Sequence, residues 1–343
     1  MATNKGKPVA LVTGGGSGIG RATAVRFAEL GYSCTMKSYV CTRFSAILLI
    51  SVPRDWADSV PGHPRLLVLP DAQKTLGTRH SFHACALVPF AKRNFRAFRS
   101  VSIIVSCVVA DINEASAKET LRMLQTPGIA VQVDVTMATS VEAMVTAAVQ
   151  HFGRIDCAFN GAGIEGTTPA RIADTPVDEF DRVMGVNAKG VWLCLKYEIA
   201  QMLQQEPVMS DPAKWADKPD VCRFRGVRGS IVNASSQAGL QSMPLYSPYC
   251  ASKWAVLGLT QTAAVEYAKE GIRVNAVCPG LVATPMHDRL KEKSPPAFSE
   301  RLDSVHPVGR IATPEEVAQA VCWLCSDACP FTTGEHLKIS GGL

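Results

Sequence analysis

The chain has 343 residues, of which 47% are hydrophobic and 19% are charged, and its net charge is +5. That length and composition support one large buried core, or one core with an appendage. The apolar runs at residues 46–52 and 101–110 are shorter than the ~20 residues of a membrane helix, and the N-terminus has no basic-then-apolar leader. We therefore expect a cytoplasmic protein that has no membrane partner.

The positive charge is concentrated in residues 35–107. This segment holds ten Lys and Arg against three Asp and no Glu, which gives it a local charge of +7 and leaves −2 for the rest. The remainder therefore lacks the basic signature of a nucleic-acid-binding protein, and we expect no nucleic-acid partner.

Strand and helix patterns alternate along the rest of the chain. Buried strands are predicted at residues 9–13, 102–111, 130–134, 155–160, 229–233, 273–278 and 336–339. Helices are predicted at residues 19–30, 116–124, 141–152, 177–202, 249–270 and 314–324. This alternation predicts an α/β fold in a single domain over residues 1–343. The expected architecture is a doubly wound parallel sheet, a Rossmann fold, with a long insertion before the second strand.

Residues 35–107 are that insertion, at a connection where only a few residues are expected. They contain five prolines and five of the chain's twelve phenylalanines. Joining Cys34 to Val108 restores an ordinary helix–turn–strand unit, which suggests a translated intron or a gene-model error. The alternative is a genuine accessory segment whose basic run at residues 92–99 binds an acidic partner.

A glycine-rich turn, Thr-Gly-Gly-Gly-Ser-Gly-Ile-Gly at residues 13–20, lies between the first strand and the first helix. Gly14 permits a tight turn, Gly18 lets the backbone approach a pyrophosphate, and Gly20 lets the helix pack close to the strand. A strand before the glycines and a helix after them indicate a dinucleotide site. The candidate cofactor-binding residues of this turn are Gly14, Ser17, Gly18, Ile19 and Gly20.

Two aspartates follow the next two predicted strands. Asp111 is placed to accept hydrogen bonds from the adenosine ribose, and a carboxylate there repels a 2′-phosphate, so NAD is favoured over NADP. Asp134, with Val135 beside it, is expected near the adenine. The alternatives are a solvated surface residue for Asp111 and a helix cap for Asp134.

Tyr249 and Lys253 lie four residues apart at the start of a long predicted helix, so their side chains share one face. A phenol titrates near ~10, and a neighbouring ammonium stabilises the phenolate, so the pair predicts a general acid/base. The ammonium can also hold the nicotinamide ribose. Ser236, thirteen residues before Tyr249, is predicted to hold and polarise the substrate oxygen. The adjacent Ser235 is an alternative candidate for holding the substrate oxygen.

Together these motifs resemble the short-chain dehydrogenase/reductase family, in the branch with Thr-Gly-x-x-x-Gly-x-Gly and Tyr-x-x-x-Lys. The resemblance runs from residue 9 to residue 342, without residues 35–107. It implies that Tyr249 is the general acid/base, that Lys253 lowers its pKa and holds the ribose, and that Ser236 positions the substrate oxygen. It also implies NAD(H)-dependent interconversion of a small secondary alcohol and a ketone, no metal, and a homotetramer or homodimer.

Further segments extend this resemblance. Asn160-Gly161-Ala162-Gly163 resembles the family's Asn-Asn-Ala-Gly turn, with Gly161 in place of the second Asn. Asn187 matches a helix asparagine that holds a water in the proton relay with Lys253. Residues 279–284 resemble the segment that binds the nicotinamide carboxamide, and Ser340-Gly341-Gly342 resembles the closing Asp-Gly-Gly. The cofactor-binding residues that this implies are Asn160, Ala162, Gly163, Pro279, Gly280, Val282 and Thr284.

Two alternatives stay open at this point. One is a non-catalytic NAD-binding protein that the insertion has disabled, although Asn187, Ser236, Tyr249 and Lys253 are all retained. The other concerns metals, because Cys322, Cys325 and Cys329 lie close together, as do His80, His83 and Cys85. The spacing of the first cluster fits one helix face, and the second has no evident fourth ligand, so neither is expected to bind zinc.

Overall fold

The computed structural model describes residues 7–30, 105–166, 169–208, 226–293 and 304–343. The strands are β1 (Val9–Thr13), β2 (Ser106–Asp111), β3 (Gly128–Gln132), β4 (Cys157–Asn160), β5 (Gly229–Ala234), β6 (Ile272–Pro279) and β7 (His336–Ile339). In the described part of the chain they form one sheet in the order β3-β2-β1-β4-β5-β6-β7, and every pair is parallel.

Helices connect these strands. They are α1 (Gly18–Leu30), α2 (Glu114–Met123), α3 (Ala138–Phe152), α4 (Val177–Met184), α5 (Gly190–Leu203), α6 (Ser247–Tyr267), α7 (Pro285–Lys293) and α8 (Pro314–Cys325). A single π-helical turn, Gly185–Lys189, joins α4 to α5. No helix among the described residues is long and apolar enough to cross a membrane.

The sheet is covered on both faces because successive strand residues point to opposite sides. Val9 and Leu11 of β1 pack with α3, α5 and α6, whereas Ala10 and Val12 pack with α1, α2 and α8. All five residues of β1 and all eight of β6 are buried, as expected for inner strands of a parallel sheet. The predicted α/β fold with a doubly wound parallel sheet is therefore confirmed.

The last two residues of the segment 35–107 lie in a described strand. Ser106 and Cys107 belong to β2, where they pair with Val9 and Ala10 of β1, because sheet pairing extends the strand back to the start of its neighbour. The predicted strand at 102–111 begins at Ser106 in the structure, and residues 102–104 lie outside the described part. So do residues 31–101, including His80, His83 and Cys85.

The third strand is shifted from its predicted position. It spans Gly128–Gln132 rather than 130–134, because its pairing with β2 ends where Gln132 lies opposite Asp111. Asp134 therefore follows the strand in a turn, where its carboxylate accepts hydrogen bonds from the backbone and hydroxyl of Thr136 at 2.9 and 2.7 Å.

The cysteine trio packs in the core. Cys322, Cys325 and Cys329 are buried between α8 and the sheet, among apolar side chains. The described residues contain no group of three or more His, Cys, Asp or Glu arranged to hold a metal ion.

The sheet order determines where a ligand can bind. The chain runs from β1 to one side through β2 and β3, and then returns to the other side of β1 at β4. Ligands of such sheets bind outside the carboxyl ends of the strands at this reversal. Thr13 and Asn160 end β1 and β4 side by side at that point.

Candidate active site

The glycine-rich turn lies at the reversal point and continues directly into α1. Gly14 and Gly18 have φ angles of +66° and +49°, which side chains rarely adopt, so the turn depends on glycine there. A Cβ on Gly14 would lie 2.8 Å from the amide nitrogen of Ala162, and one on Gly18 would lie 3.1 Å from Thr284. The fold thus brings three segments together around one cradle: this turn, the Asn160–Gly163 turn and the segment after β6.

The three other predicted residues of the turn differ in exposure. Ser17 is exposed, and its carbonyl accepts a hydrogen bond from the Arg21 amide at 3.0 Å in the first turn of α1. Ile19 is half-buried and packs against the core on the α1 side of the sheet. Gly20 is buried so close to the Gly14 carbonyl that a Cβ would collide with it.

Asp111 lies against the glycine-rich turn despite its distance in sequence. Its carboxylate accepts hydrogen bonds from the amides of Gly16 and Asn113, both at 2.9 Å. Arg21 is nearby, but its guanidinium donates to the Gly16 carbonyl and pairs with Glu119 at 3.0 Å. The Asp111 carboxylate is therefore held against the glycine-rich turn by the Gly16 amide.

Tyr249, Ser236 and Lys253 converge at the carboxyl end of β5. The phenol of Tyr249 is hydrogen-bonded to the Ser236 hydroxyl, which also accepts from the Ala238 amide at 3.1 Å. The Lys253 ammonium lies 5.5 Å from the centre of the Tyr249 ring and donates to the Ala234 carbonyl at 2.8 Å. Predicted side chains from a strand end and from α6 thus form one cluster.

The structure distinguishes the two adjacent serines. The Ser235 hydroxyl points away from the phenol and donates to the main-chain carbonyl of Lys253 at 2.9 Å, so it is used within the core. Ser236 is the serine whose hydroxyl contacts Tyr249.

Burial dominates the proton affinities of this cluster. It raises the pKa of Tyr249 to about 12, an effect that the Ser236 hydrogen bond opposes and the charge of Glu165 reinforces. Burial lowers the pKa of Lys253 to about 8. The phenol is therefore protonated near neutral pH. The family resemblance implies that Lys253 lowers this pKa, whereas in the protein alone burial raises it.

Asn187 occupies the π-helical turn, a distortion that is frequent at functional sites. Its side chain is fully buried, accepts from the Ile164 amide and donates to the Ile164 carbonyl, both at 2.8 Å. It also donates to the Ser252 hydroxyl at 3.0 Å. The side-chain amide thus joins the segment after β4 to α6, next to Lys253.

Gly163 places a bare backbone beside this cluster. A Cβ there would lie 3.3 Å from the Asn187 carbonyl oxygen and 3.4 Å from the Lys253 nitrogen. A bare backbone at Gly163 and a lysine with unused protons together fit the ribose of a nicotinamide nucleotide.

Asn160 belongs to a cluster of buried polar side chains beneath the cradle. Its amide donates to the carboxylate of Glu198 on α5 and to the side chain of Asn233 on β5, both at 3.0 Å. Asn233 in turn donates to Thr260 of α6 at 3.0 Å. Burial raises the pKa of Glu198 to about 7, and the Asn160 bond lowers it in part.

The segment after β6 is held by main-chain contacts. Ala312 donates to the Leu281 carbonyl at 3.0 Å and accepts from the Ala283 amide at 2.9 Å. Val282 between them is buried, and the Thr284 hydroxyl donates to its carbonyl at 3.1 Å. The predicted carboxamide-binding residues therefore form a fixed edge of the cradle, which begins where Pro279 ends β6.

Two predicted residues contribute mainly to packing and turn geometry. Val135 is buried in the core formed by α3, α5 and α6, where Gly190 packs against it. Asp134 accepts the two hydrogen bonds from Thr136 in the turn before α3. It does not cap that helix, whose N-cap residue is Met137 with no side-chain cap hydrogen bond.

Sequence reasoning missed Glu165, a half-buried carboxylate just after the Asn160–Gly163 turn. It forms a bidentate ion pair with Arg289 of α7, at 2.8 and 3.2 Å, and lies 3.7 Å from Lys293. These cations lower the pKa of Glu165 against the opposing effect of burial. The signal available in the sequence was weak, because Glu165 and Arg289 are 124 residues apart.

Comparison with known proteins agrees with this geometry. A family model described as enoyl-(acyl carrier protein) reductase matches residues 105–210 and 218–343. The 2,5-dichloro-2,5-cyclohexadiene-1,4-diol dehydrogenase of Sphingobium indicum is 37% identical over 235 residues, which cover 68% of this chain and 85% of that protein. The A-factor type gamma-butyrolactone 1′-reductase of Streptomyces virginiae is 40% identical over 216 residues, which cover 62% and 74%.

Similarity extends to a solved structure. The crystal structure of levodione reductase matches with a TM-score of 0.66 and 26% identity, and the match covers 99% of this chain and 97% of that one. The named relatives are dehydrogenases and reductases that act on small molecules.

Proposed function

The chain belongs to the short-chain dehydrogenase/reductase family of oxidoreductases, and on that premise we propose that it interconverts a small secondary alcohol and a ketone with NAD(H). Tyr249 is the general acid/base of this proposal. The observation that carries it is the contact of the half-buried Tyr249 and Ser236, beside the buried Lys253 and next to the glycine-rich cradle.

The proton is handled by Tyr249. When bound, the nicotinamide supplies or accepts the hydride. In reduction the phenol of Tyr249 donates its proton to the carbonyl oxygen of the substrate, and in oxidation the phenolate removes it. A phenol that burial keeps protonated is ready to act as the acid, and Ser236 holds the same substrate oxygen by a hydrogen bond.

Lys253 and Asn187 support that transfer. The Lys253 ammonium has three donors, of which one is used by the Ala234 carbonyl, so two remain for ribose hydroxyls and for a phenolate at Tyr249. Asn187 fixes the segment at Ile164 and, through Ser252, the helix that carries Lys253. We retain it as part of the proton relay that the family resemblance implies.

The charge pattern supports NAD over NADP. A 2′-phosphate would approach the Asp111 carboxylate, beside which the nearest cation of the described residues, Arg21, is already paired with Glu119 and the Gly16 carbonyl. The adenosine ribose of NAD instead offers hydroxyl donors to Asp111. We keep Asp134 as the neighbour of the adenine within this proposal.

We also propose that the working form is a homotetramer or homodimer. Large apolar side chains are exposed on the outer faces of α5 and α6: Trp192 is 45%, Trp254 is 52% and Val265 is 82% exposed. Such a patch on adjacent helices is typical of a surface that is covered by another chain.

The first test is a fluorescence titration of the full chain with NADH and with NADPH, followed by a screen of secondary alcohols and ketones. We expect NADH to bind at least ten-fold more tightly than NADPH, and Asp111→Ser to reduce that ratio. Tyr249→Phe should keep NADH binding and lose turnover by about a thousand-fold or more. Tight NADPH binding would contradict the cofactor assignment. NADH binding without turnover of any substrate would favour the non-catalytic alternative.

A further inference from the structure

His306 is buried in a turn that is otherwise exposed. It is 3% exposed, whereas Val305 and Val308 on either side are 47% and 57% exposed. A turn that buries its histidine and exposes its valines reverses the ordinary preference of these residues. The reversal indicates that the imidazole is inside because of its hydrogen bonds.

Both ring nitrogens of His306 are used. The Leu281 amide donates to Nε2 at 3.0 Å, and Nδ1 lies 2.7 Å from the Ser340 carbonyl oxygen. Because Nε2 accepts a hydrogen bond, it carries no proton, and Nδ1–H must be the donor to Ser340. The ring is therefore neutral and of one tautomer, and it joins the end of β6 to the end of β7.

The contact reaches the nicotinamide edge of the cradle. The ring packs so closely on Gly280 that a Cβ there would collide with it. Leu281 then has both main-chain groups occupied, its amide by His306 and its carbonyl by Ala312. The orientation of the next peptide, at Val282, follows from these two bonds.

We propose that His306 is a positioning residue for the cofactor, whose ring fixes the Leu281 peptide so that Val282 and Thr284 face the nicotinamide. This inference rests on the proposed function, because it assigns the Gly280–Thr284 segment to the nicotinamide half of NAD(H). The proposed function assigns the adenosine half to the Gly14–Gly20 turn and Asp111, whereas the described hydrogen bonds of His306 go to Leu281 and Ser340. Loss of His306 should therefore affect the two halves of the cofactor differently.

The test compares NADH with ADP-ribose, which lacks the nicotinamide, on the full-length chain. We expect His306→Phe to weaken NADH binding by about ten-fold and to leave ADP-ribose binding within two-fold. His306→Gln, whose amide can both accept and donate, should restore most of the NADH affinity. His306→Asn is too short to reach Leu281 and should behave like His306→Phe. The exposed His151→Phe serves as the matched control and should change neither affinity.

A second readout uses the protein without cofactor. Hydrogen exchange at the Leu281 amide should accelerate at least ten-fold in His306→Phe and His306→Asn, and it should be restored in His306→Gln. Unchanged exchange in these variants would overturn the inference even if the native chain binds NADH. Equal losses for NADH and ADP-ribose would overturn it in favour of a purely structural role. If the native chain bound neither ligand, the proposed function itself would fail, and this inference with it.

Discussion

At the scale of single residues, Glu198 is a carboxylic acid placed in the interior of the protein. Its side chain is fully buried, and its oxygen Oε1 has no hydrogen-bond partner among the described residues. Burial raises its pKa from 4.5 to about 7. The folded chain therefore binds this proton more tightly than the unfolded chain, and the stability that this provides is lost as pH rises from about 4.5 to about 7.

This linkage predicts the behaviour of Glu198→Gln. The native protein should lose on the order of 3 kcal/mol of unfolding free energy between about pH 5 and about pH 8, and the variant should not lose this part. Its amide can still accept the hydrogen bond from Asn160. Urea unfolding at both pH values measures the difference.

Glu206→Gln is the matched control, because Glu206 is an exposed glutamate close to the end of the same helix. It should leave the native pH dependence unchanged. The unfolding free energies of the native protein and of Glu198→Gln could instead change equally between the two pH values. That result would show that the buried carboxyl does not titrate in this range.

At the scale of elements, α7 is tied to the segment after β4 by the ion pair of Glu165 with Arg289. Lys293 adds a hydrogen bond to the Gly166 carbonyl at 3.3 Å. The helix begins at Pro285, directly after Thr284, and therefore adjoins the cradle. The Glu165 charge also raises the pKa of Tyr249, so the ion pair with α7 and the acidity of the phenol share one carboxylate.

Two variants separate these effects. Glu165→Gln and Arg289→Gln should both loosen α7 and raise the KM for substrate by about two- to five-fold. The pH profiles of their turnover rates should shift in opposite directions relative to the native enzyme. Glu165→Gln removes a charge that raises the pKa of Tyr249, whereas Arg289→Gln keeps that charge and removes its bidentate partner.

Steady-state kinetics across pH with one substrate measures both quantities. Lys118→Gln, which breaks a surface ion pair with Glu114 on α2, is the control and should change neither. pH profiles that move in the same direction would rule out the electrostatic link between Glu165 and Tyr249.

At the scale of the whole molecule, the effect of the insertion on the cradle depends more on where it enters the fold than on its length. It enters between the end of α1 at Leu30 and the start of β2 at Ser106. Ser106 pairs with Val9 at the beginning of β1, so this edge is opposite the carboxyl ends that carry the cradle. A long loop at such a point costs little additional closure entropy.

Removal of residues 35–107 is therefore expected to preserve the site. The dipeptide Ser33-Cys34 repeats Ser106-Cys107, so the shortened chain keeps the Ser-Cys-Val-Val-Ala-Asp sequence of β2. Full-length and shortened chains should bind NADH with affinities within about three-fold of each other. Fluorescence titration of both proteins, with their melting temperatures, tests this. Binding by the shortened chain alone would mean that the 343-residue chain is not the working enzyme.

The sequence determined the fold class, the glycine-rich turn and the convergence of Tyr249 with Lys253. These features depend on local periodicity and short spacing, which residues close in the chain express before any tertiary contact forms. Strand ends were less predictable, since pairing with β1 and β2 decided where Ser106 enters the sheet and where Gln132 leaves it.

Only the tertiary structure decided which polar groups meet across the chain. Three hydrogen-bonded pairs illustrate this. Asn160 bonds to Glu198 across 38 residues of sequence, and Leu281 bonds to His306 across 25 residues. Glu165 pairs with Arg289 across 124 residues. The tertiary structure also decided that Ser236 rather than Ser235 contacts the phenol, and that burial sets the proton affinity of Tyr249. Contact partners and desolvation depend on how helices and strands pack together, and no local pattern encodes that packing.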